Sequence, residues 1–154
     1  MTITAKSDFS GLEKLKKQAK KNYVARIGIL GKGDARPDGL SNATIGFKHE
    51  FGSVTENIPI RSFLRMPLIT KSKEFDEVLK TNTAKKEVDK KGIKALVTLL
   101  GIKAEAIIQE AFASRGFNTW AKNAPYTIAK KGSDSPLIDT GELRKTITSE
   151  VVSR

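Results

Sequence analysis

The chain holds one histidine, His49, and no cysteine. His49 is followed by Glu50, the first half of a zinc-hydrolase helix in which two imidazoles one turn apart hold the metal and the glutamate activates its water. The second imidazole would stand at position 53, which is Ser53. Asp34, Asp38 and Glu56 lie nearby, but their spacing matches no cation-binding loop. Nucleophilic catalysis built on imidazole or thiolate fails for the same reason: one histidine and no thiol assemble no triad. Gly31-Lys32-Gly33 invites a phosphate-loop reading. It lacks the G-x-x-x-x-G that should lead into the lysine and the Ser or Thr that should follow it. No catalytic residue, metal or cofactor is therefore expected, and His49 is read as a structural or interface histidine.

What remains is charge. Lys plus Arg number 28 against 17 Asp plus Glu, a formal +11. Such an excess favours polyanions. The plainer alternative is a soluble protein with lysine-coated helices, because most lysines fall at helical polar positions. Trp120 could stack on a base; the favoured reading is that it pins a long surface segment to the core.

The elements that must position these residues follow from periodicity. The 154-residue chain is one domain by length, with exposed loops at about 31–40 and 115–136. Ser10 and Glu13 have capping-box spacing, and Phe9, Leu12, Leu15 and Ala19 form the stripe of a basic amphipathic helix. Tyr23 to Leu30 alternates as a strand. Ser41 or Asn42 caps a helix whose stripe is Ala43, Phe47 and Phe51, closed by Gly52. Ile58 to Arg65 is an extended approach into a helix that starts near Ser62 to Met66, with Pro67 in its first turn and Leu68, Phe75 and Leu79 as its stripe. Thr81 to Thr83 breaks that helix. Lys85 to Ser114 reads as one helix of roughly 30 residues, with Ile93, Leu96, Leu100, Ala104, Ile107 and Ala111 on one face and Gly101 marking a bend or a close contact. Pro125 starts a short helix capped from Asn123. Asp139 and Glu142 have capping-box spacing for one last turn that buries Leu143. From Thr146 the period returns to two, with Ile147 and Val151 on one face. The expected class is α+β: a small antiparallel or mixed sheet packed against several helices, one of them long and central.

Several motifs occur in a telling order: His49-Glu50-Phe51-Gly52, Ile58 to Arg65, Trp120 to Lys131, and Pro136 to Arg144. In this the chain resembles the tail-completion and virion-morphogenesis proteins of tailed bacteriophages, over about two-thirds of its length, from Ala43 to Val152. The family commonly has a proline where this chain has Ser62. The resemblance implies a structural, non-catalytic α+β subunit in a sixfold ring at the head-proximal end of the tail. Its partners would be copies of itself, other neck and tail proteins, and packaged DNA passing through or near the ring, with no membrane. Its place would be the virion, and the host cytoplasm during assembly. The expected interface residues are Arg61, Phe63 and Arg65 in the extended approach, and Asp139, Thr140 and Leu143 around the last turn. Asp139 and Thr140 are expected to cap the last turn, and Leu143 to anchor it. The alternative is a basic nucleic-acid-binding module, although no helix-turn-helix or ribonucleoprotein motif is present.

Overall fold

The structure, a computed structural model, describes residues 10–19, 21–31, 36 and 39–154. Its elements run α1 (Ser10–Ala19), β1 (Tyr23–Ile29), α2 (Asn42–Phe51), α3 (Arg65–Thr70), α4 (Lys73–Lys80), α5 (Asn82–Lys91), α6 (Ile93–Ala113), α7 (Pro125–Lys131), α8 (Glu142–Lys145) and β2 (Ile147–Ser153). The glycine-rich stretch after β1 and the Phe9 position lie largely outside the described residues.

The two period-two segments find each other. β1 and β2 pair antiparallel, with Tyr23 opposite Ser153 and Ile29 opposite Ile147. Arg26 and Glu150 face each other across the ribbon at 3.6 Å. Two strands alone make a marginal sheet. Here the support is α6, which lies across the ribbon and contacts both strands. Gly101 sets that approach: a Cβ there would fall 2.9 Å from Ser149 Oγ. The Glu105 carboxylate on the same helix accepts the Ser149 N–H. Gln109 and Arg144 exchange hydrogen bonds and so tie α8 to α6. The core gathers Phe63, Ile108, Phe112, Leu143 and Ile147, with Ile27, Ile29 and Trp120 packed on it. The architecture is α+β.

Four local expectations are corrected. The helix foreseen over Lys85 to Ser114 is two helices, because Gly92 adopts φ 82°, a conformation that breaks the hydrogen-bond ladder. The helix foreseen after Pro67 is likewise two, parted at Lys71 and Ser72. Asn123 does not cap α7; Ala124 holds that place, with Pro125 in the first turn. Asp139 does not cap α8 either. The N-cap is Gly141 at φ 80°, and the Glu142 N–H only grazes Thr140 Oγ1 at 3.4 Å. Leu143 does anchor that turn, but at 5% exposure it belongs to the core and is not offered to an interface.

Candidate interaction site

The site grows out of which way α2 faces. Ser41 caps it by accepting the Thr44 N–H at 3.0 Å. Two stripes compete on this helix, one residue and so about 100° apart. Ala43, Phe47 and Phe51 are apolar; Asn42, Gly46 and Glu50 are small or polar. The second stripe is buried. Phe47 is left 66% exposed and Phe51 52%, their rings 4.9 Å apart. The Arg65 guanidinium lies 5.7 Å from the Phe51 ring. Gly46 lets the helix approach Ile29 and Phe63, whose atoms a Cβ would meet at 2.9 and 3.2 Å.

Turning that face inward delivers Glu50 to the start of α3. Its Oε1 accepts Ser62 Oγ at 2.6 Å and Arg65 N–H at 3.1 Å. Its Oε2 accepts Phe63 N–H at 2.8 Å and Leu64 N–H at 2.9 Å. A buried carboxylate thus satisfies the orphan amides of a helix N-terminus from another helix, where the dipole also favours negative charge. From Arg61 to Arg65 the extended approach is therefore not a free edge. Arg61 and Phe63, expected at an interface, are buried at 6% and 0% exposure. Phe63 packs against Phe112 at 5.4 Å, and Phe112 meets Trp120 edge-on at 5.6 Å. Trp120 donates its indole N–H to Ser62 O, so it pins the segment as foreseen. Arg65 alone of that trio is exposed.

Arg61 turns the other way, toward the segment after α6. That segment is staked by Trp120 and by a bidentate Arg115–Asp134 pair at 2.8 and 3.0 Å. Arg61 Nε donates to Ala121 O at 2.8 Å, and Nη2 to Lys122 O at 3.0 Å and Asn123 Oδ1 at 3.4 Å. No acceptor among the described residues meets Nη1, and none of their carboxylates pairs with this guanidinium.

Arg61 lines a cleft of about 950 Å³ between the α2–α3 connection and the α7–α8 region. Lys131 lines it too, its amine donating to Ser135 O at 2.8 Å. Burial lowers the Lys131 pKa, Asp139 raises it and Arg61 lowers it. His49 stands on the same wall. Burial first, then Arg61 and Lys131, push it down to about 4, so the imidazole is neutral near pH 7. Its Nδ1 is buried and meets no hydrogen-bond partner among the described residues. Glu56 and Glu142 on the cleft wall are neutralised by Lys48 at 2.6 Å and Arg36 at 3.1 Å. Asp139 and Thr140, foreseen as caps, are exposed residues lining this cleft instead.

Among the described residues no group of three metal-ligating side chains occurs, and no helix is long and apolar enough to cross a membrane. Comparison with family models, characterised proteins and solved structures finds no match to this chain.

Proposed function

We propose that this chain is a structural, non-catalytic subunit of a tailed-bacteriophage neck, of the tail-completion kind. It joins copies of itself in a sixfold ring at the head-proximal end of the tail and meets other neck and tail proteins there. It assembles in the host cytoplasm and stays in the virion, with packaged DNA passing through or near the ring. The observation that carries this reading is the outward aromatic stripe of α2. A helix that exposes Phe47 and Phe51, with Ile60 63% exposed nearby in sequence, keeps apolar area that a lone soluble protein normally covers. Aromatic side chains flanked by arginine are what protein interfaces concentrate. A ring requires a heterologous contact that closes by rotation, so this face would meet a different face of the next copy. The motif order in the sequence adds the phage context.

The test is a Phe47→Ser/Phe51→Ser double variant. Both rings are solvent-facing, so the melting temperature is expected to stay within a few degrees of the parent. Assembly into rings or finished tails, followed by mass measurement and electron microscopy, is expected to fall at least tenfold. Normal assembly of the variant, or absence of the chain from finished particles, ends the proposal. Tight duplex binding whose log K falls steeply with log salt would favour the nucleic-acid module instead.

A further inference from the structure

We infer that the cleft holding Arg61 is a receptor for one carboxylate side chain on an extended segment of a neighbouring protein subunit. A guanidinium carries five N–H donors. Three of Arg61's are used, all on neutral oxygens, and the two on Nη1 have no acceptor among the described residues. The residue is 94% removed from solvent, since its exposure is 6%. Nη1 opens on the cleft and the guanidinium has no counter-charge among the described residues, so an entering carboxylate would supply both the charge and acceptors for those two donors. Lys131 adds a second cation that acts electrostatically on the same region, as its influence on His49 shows.

The charge layout selects the occupant. Arg36, Arg61, Lys122 and Lys131 bring positive charge to the wall, and Glu56, Asp139 and Glu142 line it too, with Glu142 paired to Arg36 and Glu56 to Lys48. A nucleic-acid strand presents phosphates in series, whereas the cleft offers one seat, the spare donors of Arg61, with the Asp139 carboxylate on the same wall. A peptide can place one carboxylate on Arg61 and neutral or basic residues against the rest. Ile60, next to Arg61 in the wall, is outside any strand or helix and makes no backbone hydrogen bond among the described residues, so its N–H and C=O are open to an extended chain.

The experiment uses the whole chain as an isolated protein, so its outcome is independent of whether rings form. The probes are the capped peptide Ac-Lys-Val-Glu-Val-Lys-NH2, its counterpart with Gln for Glu, inorganic phosphate and a short DNA duplex. Binding is read from NMR shifts of the Arg61 Nε–H and of the Ile60 and Asn123 amides. The Glu peptide is expected to shift all three and to bind about tenfold more tightly than the Gln peptide, the worth of a charge-assisted bond. Lys131→Gln is expected to weaken the Glu peptide about threefold and leave the Gln peptide unchanged. Equal binding of the two peptides, no shift with either, or unaltered affinity in Lys131→Gln overturns the inference. So does tighter binding of phosphate or duplex than of the Glu peptide, which would make the site a phosphate site.

Discussion

Glu50 and Arg61 lie eleven positions apart, and both are buried charged side chains with no opposite charge paired to them among the described residues. Each is held by hydrogen bonds to uncharged groups. They differ in completeness. Glu50 receives four donors on two oxygens, three of them the amides that open α3. Nothing of that carboxylate is left over. Arg61 spends three donors on the 121–123 segment and keeps two. A saturated buried ion is a part of the fold; an unsaturated one at a cleft is a place for something else. The same helix end serves both, since the Arg61 N–H bonds to His49 O.

The largest expected effect tests the saturated side. Glu50→Ala strands the Ser62 hydroxyl and three amides in the interior and is expected to cost about 3–5 kcal/mol in urea denaturation, a large share of a typical domain's stability. Arg61→Met, similar in volume and apolar, is expected to cost only about 1–2 kcal/mol. Its backbone partners belong to Ala121 and Lys122, which are exposed and can turn to water, so the main loss is the 3.4 Å bond to the buried Asn123 Oδ1. Equal losses in the two variants would erase the distinction between a fixture and a site.

The next effect sits between the two ions. His49 is held neutral, its pKa lowered to about 4 by burial and then by Arg61 and Lys131. The unfolded chain, with an ordinary imidazole near 6.5, therefore binds a proton that the folded chain refuses between those values. Stability is full above about pH 6.5 and falls as pH drops toward 4. The loss reaches up to about 3 kcal/mol at the lower end. Glu74 and Glu87, lowered by hydrogen bonds from Lys103 and Lys91 respectively, lose their contribution only below the ordinary carboxylate range. The slope between pH 6.5 and 5 is therefore assigned to His49. Denaturation midpoints of His49→Gln should be flat across that window. A parent slope that survives the substitution would place the proton elsewhere and loosen the link to Arg61.

How much of this was legible in the chain differs by region for physical reasons. β1 and β2 were, because strict alternation has one outcome when a face is buried, and their pairing followed from each needing a partner. The buried face of α6 was legible too, from Ala104, Ile107 and Ala111 at helical spacing. Gly92 was passed over because a single glycine inside a periodic run is compatible with both continuation and a break. The facing of α2 was misread: hydrophobicity favoured Phe47 and Phe51, and the stripe of Asn42, Gly46 and Glu50 looked inert. Its value lies in a close approach and in amides thirteen to fifteen positions downstream, which no local pattern encodes. Arg61 and Phe63 looked surface-bound because Pro59 keeps the chain extended, and extended chain is usually exposed. Only the pairing of Glu50 with those amides makes burial possible.

Asp139 gives the smallest and most selective effect. Capping-box spacing with Glu142 would make Asp139→Ala cost about 1 kcal/mol. The cap is Gly141 instead, and Asp139 is an exposed residue of the cleft wall whose charge raises the Lys131 pKa. Asp139→Ala is therefore expected to change stability by less than about 0.5 kcal/mol. It should instead tighten the cleft's hold on the Glu-containing peptide, by about twofold, because a negative charge beside Lys131 is gone. A stability loss of a full kcal/mol with no change in peptide binding would restore the cap and leave the Arg61 side of the molecule as saturated as the Glu50 side.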